Sequence, residues 1–122
     1  MSEKKSILKD KSFAFALRCI RLYRYLSETK NEYVLSRQLV RSGTSVGANV
    51  RESRNAESTA DFAHKLGIAQ KECDETIYWL ELLEQSEYIK KAEFISMNED
   101  AEELLKMLRS SILTSKQKMK KL

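Results

Sequence analysis

Apolar residues return at spacings of three and four through almost the whole chain, and no proline breaks the rhythm. Residues at those spacings share one face of a 3.6-residue turn, so the pattern is that of helices with a single buried stripe. Phe13, Ala16, Leu17, Ile20, Tyr23 and Leu26 predict a first helix over 6–29, which the segment SETKNE interrupts. Leu35, Leu39, Val46, Val50 and Ser53 predict a second over 33–55. A third, over 59–86, carries Phe62, Leu66, Ala69, Cys73, Ile77, Leu80 and Leu83. It opens on Ser58 with Asp61 three residues later, the spacing of a capping box. After QSEYIKK, the residues Ile95, Ala101, Leu104, Leu105, Leu108, Ile112 and Met119 predict a fourth helix over 91–118, which runs into a basic tail over 116–122. Short connections between helices of comparable length favour antiparallel neighbours. The expected fold is all-α, an antiparallel up-down-up-down four-helix bundle in one domain, 1–122. A chain of 122 residues has material for one core, and three glycines are too few turn formers for a sandwich or barrel.

The segment RSGTSVGANVRESRNA, residues 41–56, is rich in Ser, Gly and Thr, yet the apolar spacing passes straight through it. A Walker-type phosphate loop needs Gly, four residues, then Gly-Lys-Ser/Thr, and GTSVGANV has neither the spacing nor the lysine. A helix explains it better. Gly43 and Gly47, with Ser42, Val46 and Val50 beside them, would form a thin patch where another backbone approaches. Each glycine costs roughly 0.5–1 kcal/mol against alanine in a helix, so two of them imply a packing reason. A polar stripe, Gln38, Arg41, Ser45, Asn49 and Glu52, runs beside the patch, and Asp61, Lys65, Glu72, Glu75 and Trp79 are similarly aligned on the third helix. These stripes predict that Arg41 or Arg51 pairs with Glu72 or Glu75, across neighbouring helices or subunits. The plainer alternative is two solvated faces with no fixed partner.

Charge is unevenly distributed. Residues 1–56 hold 12 Lys and Arg against 5 Asp and Glu, residues 57–115 hold 6 against 13, and the tail KQKMKKL adds four lysines. Such asymmetry fits a polyanion partner, self-association through opposite faces, or pairing of complementary helices within the chain. The candidate phosphate contacts are Lys4, Lys5, Lys9, Lys11, Arg18, Arg21, Arg24 and Arg37, with Lys116, Lys118, Lys120 and Lys121 in the tail. Lys11, Arg18 and Arg21 fall near one face of the first helix, and Tyr25 offers a stacking ring seven residues after Arg18. No recognised nucleic-acid motif accompanies them, so base specificity does not follow. The alternative is a solvated face neutralised by the acidic residues of the other helices.

Enzymatic readings find little support. A di-iron bundle needs a Glu-x-x-His pair on each of two helices; Asp61 and His64 share that spacing, but His64 is the only histidine. Cys19 and Cys73 lie in apolar helical contexts with no basic partner close by to activate a thiolate. No cofactor or metal ligand set is expected. Two unpaired thiols, with no hydrophobic stretch at the start for export or anchoring, point to the cytoplasm and away from a membrane.

The segments LSRQLVRSGTSVGANVRES, DFAHKLGIAQKECDETIYWLELL and EELLKMLRSSILTSKQK together resemble the bacterial four-helix bundle proteins related to 23S ribosomal RNA intervening-sequence proteins. The resemblance covers nearly the whole chain; its most specific parts are QLVRSGTSVGANV and KECDETIYWL. It implies a small cytosolic bundle, a homo-oligomer that in several members is a pentameric ring. Some members are encoded inside inserts of ribosomal RNA genes. A related branch, the accessory variability proteins of diversity-generating retroelements, binds nucleic acid and a reverse transcriptase through a basic surface. The matching signature positions are Gln38, Arg41, Ser45, Gly47, Asn49, Glu72, Glu75 and Trp79, which the resemblance marks as packing or interface residues. The chain departs from many relatives in having TKNEY where they carry a proline between the first two helices, and in its acidic second half. The resulting expectation is a non-enzymatic oligomer that contacts RNA or DNA through Lys11, Arg18, Arg21, Arg24 and Arg37. The alternative is a scaffold for a protein partner, presenting the Gly/Ser patch and the rings of Tyr78 and Trp79, although Trp79 also lies near enough to the Ile77/Leu80 stripe to be core.

Overall fold

A computed structural model of the chain describes residues 3–121, with side chains from residue 7 onward. It contains four helices, α1 (Glu3–Glu28), α2 (Leu35–Ser53), α3 (Thr59–Gln85) and α4 (Lys91–Lys120), and they form a four-helix bundle in up-down-up-down order. Each helix packs on its neighbours in sequence, and α1 closes the ring against α4 along the least extensive of the four seams. The Gly/Ser-rich segment is helical from Arg41 through Ser53, as the spacing predicts.

The core is aliphatic. Phe15, Leu26, Leu39, Leu66, Leu80, Leu83, Leu104, Leu105 and Leu108 are its largest fully buried side chains. Each contributes roughly 1.5–3 kcal/mol by leaving water. The buried residues of α2 and α3 follow the predicted stripes; those of α1 do not. Leu8, Ser12, Phe15, Cys19, Leu22 and Leu26 face inward, whereas Phe13 is 54% exposed and Leu17 37%, with Ala16, Ile20 and Tyr23 only partly covered. The reason lies opposite, on α2. A Cβ built on Gly47 would stand 3.2 Å from the Ser12 carbonyl oxygen, and one on Gly43 would stand 2.9 Å from the Cys19 Cβ and overlap its sulfur. Close approach of α1 to α2 requires small side chains on both helices, so α1 turns Ser12 and Cys19 toward the glycines and leaves Phe13 and Leu17 outside. On α4, Ile95 is likewise exposed, and Met97 occupies the buried position at that level.

The turns are built from side chains as much as backbone. After α1, Asn31 adopts φ 55°, a left-handed conformation asparagine tolerates well, and the Glu32 N–H donates to the Leu26 carbonyl at 2.9 Å. Glu32 then folds its carboxylate over the start of α2. It accepts from the N–H groups of Val34, Leu35 and Ser36 at 3.1, 2.9 and 2.7 Å, and its own carbonyl accepts from the Ser36 hydroxyl at 2.7 Å. This buried carboxylate does the work of an N-cap from three residues upstream of the helix. Burial alone would push its pKa up; the three amides and the Ser36 hydroxyl overcome that and hold it below the ordinary glutamate range. At the start of α3, Ser58 Oγ accepts from the Asp61 N–H at 3.0 Å, and the Asp61 carboxylate accepts from the Glu57 N–H at 3.3 Å. The reciprocal cap is as expected, one residue wider on its return side.

Candidate functional site

The predicted pairing of α2 with α3 is present within one chain and is made by Arg41. Its Nη1 donates to Glu72 Oε2 at 3.1 Å, its Nη2 to Glu75 Oε2, and its Nε to Gln38 Oε1 at 3.2 Å. Glu75 Oε2 also accepts from the Trp79 indole N–H at 3.0 Å. Five of the residues singled out in the sequence thus form one network, with each member three or four residues from the next along its own helix. Arg51 makes no such contact; its neighbour Glu52 instead stands 3.9 Å from Lys65. Inside the network, the Thr76 hydroxyl donates to the Glu72 carbonyl at 2.7 Å and accepts from the Ser42 hydroxyl at 2.8 Å. Asn49 Nδ2 donates to the Ser45 carbonyl at 2.9 Å and to Ser45 Oγ at 3.2 Å. Gly43 and Gly47 serve the seam with α1. Trp79 is partly buried against the core, and Tyr78 beside it is exposed, with the two rings in edge contact at 5.1 Å.

This arrangement holds helices together. The cysteine thiols are buried and free, and burial pushes both up to about 12, so they stay protonated at neutral pH. The Cys73 thiol donates to the Ala101 carbonyl at 3.4 Å. Among the described residues no three His, Cys, Asp or Glu side chains converge as a metal site, and Asp61 is committed to its helix cap.

The basic candidates divide into two groups. Lys11 Nζ pairs with Glu103 Oε1 at 2.8 Å, and the hydrogen bond and charge of that carboxylate raise the lysine above its ordinary range. Arg18 donates to Asp100 Oδ2 at 2.7 Å, to Ser96 Oγ at 2.9 Å and to the Ser96 carbonyl at 3.3 Å. Both side chains belong to the α1–α4 seam. Arg21, Arg24 and Arg37 are exposed and meet no carboxylate among the described residues, as are Lys116, Lys118, Lys120 and Lys121. The side chains of Lys4 and Lys5 lie outside the described residues. The helix order places Arg21, Arg24 and Arg37 toward the end of the bundle where α1 finishes and α2 begins.

Sequence reasoning missed the outer face of α1. Phe13, Ala16 and Ile20 lie along a groove of about 460 Å³ with Thr44, Gly47 and Ala48 of α2. The apolar spacing of these residues was visible; only its direction was not.

These features define a class: an all-helical bundle whose second helix is pared to glycine and serine for close packing, and whose polar signature residues tie helix to helix. The chain belongs to the 23S rRNA-intervening sequence protein family, whose sequence pattern matches residues 4–110. It is also similar to a protein of unknown function from the S23 ribosomal protein family of Bacteroides thetaiotaomicron, solved by crystallography at 1.70 Å. The two share 50% identity over 89% of this chain and 97% of that one, with a TM-score of 0.88. A search of curated proteins finds no match. No helix among the described residues is long and apolar enough to cross a membrane.

Proposed function

We propose that this protein is a non-catalytic, self-associating bundle of the cytoplasm that contacts RNA or DNA through a basic surface. The observation that carries the reading is the set of exposed arginines, Arg21, Arg24 and Arg37, that no carboxylate neutralises among the described residues. Lys11 and Arg18, by contrast, are paired with carboxylates of α4. Self-association is supported by the α1 face: Phe13 and Leu17 stand out of the bundle beside a shallow apolar groove, a surface that a second copy can cover. A five-fold ring, which the family resemblance implies, would repeat the arginines around one assembly and multiply a weak phosphate contact.

Filter binding at several salt concentrations tests the reading. Affinity is expected to fall steeply with salt, and Arg21→Glu with Arg24→Glu to flatten that dependence by about two phosphate contacts. Light scattering is expected to show an oligomer that Phe13→Asp dissociates. Absence of binding at low salt would favour the second reading, a scaffold for a protein partner such as a reverse transcriptase, which the exposed ring of Tyr78 beside Trp79 supports.

A further inference from the structure

The α1–α4 seam opens, on the α1 C-terminal side of Arg18, into a cleft of about 450 Å³. Its floor is apolar, made by the buried side chains of Leu22 and Met97. One wall is Arg18 with Ser96, joined by the hydrogen bond that Arg18 donates to Ser96 Oγ, and Arg18 also donates to Asp100. The ring of Tyr25, 40% exposed, stands at the other side, with the Lys30 ammonium 5.9 Å from its centroid. Arg21 lines the cleft without a carboxylate partner among the described residues, and Glu93 of α4 lines it too.

We propose that this cleft takes one unstacked base of a single-stranded nucleic acid, with Tyr25 as the stacking surface and Arg21 at the adjoining phosphate. The inference rests on the nucleic-acid reading above and deepens it by locating a base site. The chemistry matches on three counts. The cleft volume falls in the range of small-ligand pockets, about 300–1,000 Å³. An apolar floor beside an exposed aromatic ring suits a flat, largely apolar face, and every base has one. Arg21 lines the cleft and the Lys30 ammonium lies over the Tyr25 ring, so positive charge for the adjoining phosphates stands beside the stacking surface, while Glu93 can accept from an exocyclic amine. A base inside a duplex could not reach the floor, so single strands are the ligand.

Fluorescence anisotropy with the full chain tests this, using a short labelled oligoadenylate and an abasic oligomer of equal length and charge. Tyr25→Ala is expected to weaken oligoadenylate binding about tenfold, within the range measured for removing one stacking ring. Tyr25→Phe, which keeps the ring, is expected to stay within about twofold of wild type. The abasic oligomer is expected to bind wild type more weakly than oligoadenylate, and Tyr25→Ala no differently from wild type. Circular dichroism confirms that each variant is folded. Equal binding of the two oligomers by wild type, or an unaffected Tyr25→Ala, overturns the base site while leaving the basic surface standing. Failure of wild type to bind either oligomer overturns both.

Discussion

Helix α1 has two seams, and they are built on opposite principles. Toward α2 it meets glycine: Ser12 lies on Gly47 and Cys19 on Gly43, with so little room that a single methyl at Gly43 would collide. Toward α4 it reaches across with long polar side chains, Lys11 to Glu103 and Arg18 to Asp100 and Ser96, over a seam that is partly open. The first contact is steric and unforgiving, because a close-packed interior cannot absorb extra volume without moving backbone. The second is electrostatic and adjustable, because exposed ion pairs contribute little and rearrange readily. The steric specificity of α1 therefore sits in its seam with α2, and the surface open to new contacts lies along its seam with α4.

The contrast can be broken from its rigid side first. Gly43→Leu is expected to destabilise the bundle by roughly 3 kcal/mol or more, enough to leave a small domain largely unfolded, as a thermal melt would show. A smaller loss is expected from the cap that starts α2. Glu32→Gln removes the charge that three amides and a hydroxyl address, for about 1–2 kcal/mol by chemical denaturation. The same residue sets a pH dependence. Its folded pKa is depressed, so the unfolded chain binds more protons and stability rises with pH between the two values. The contribution is complete above the ordinary glutamate pKa and disappears as pH falls through the lowered one. Glu32→Gln is expected to flatten that acid limb, and a limb of unchanged slope would show that the carboxylate is not held as described.

Arg41→Lys comes next. Lysine cannot span Glu72, Glu75 and Gln38 together, but the guanidinium side chain is half exposed, so the expected loss is only about 0.5–1 kcal/mol. On the adjustable seam, Arg18→Ala is expected to cost about 0.5 kcal/mol or less, and the effect should fade as salt is raised. A cost for Arg18→Ala as large as that for Gly43→Leu would erase the distinction between the two seams.

Much of this was legible before any coordinates. The near-heptad spacing through residues 41–53 identified a helix where composition alone suggested a loop. The parallel polar stripes brought Arg41 together with Glu72 and Glu75 because residues three and four apart must share a face. The buried face of α1 was not legible, since its two apolar stripes have the same period and only the partner decides between them. Small residues seven apart, Ser12 and Cys19, were a signal that could have resolved it: they match Gly47 and Gly43 in reverse order, as antiparallel helices require. The rotation of α1 in turn sets Lys11 and Arg18 against carboxylates of α4. Glu32 escaped notice for a different reason. Glutamate is a poor N-cap by type, and it serves here because the left-handed Asn31 swings the chain so that its carboxylate folds back over three amides.

The claim beneath the rest is that α2 is thinned with glycine so that α1 can lie directly on it. A double-mutant cycle on stability, Gly43→Ala against Cys19→Ala, measures this contact most directly. The account predicts that Gly43→Ala loses roughly 1–3 kcal/mol alone and markedly less once the Cys19 sulfur is gone, a coupling of about 1 kcal/mol. Strictly additive losses would contradict it, showing that Gly43 and Cys19 do not press on one another.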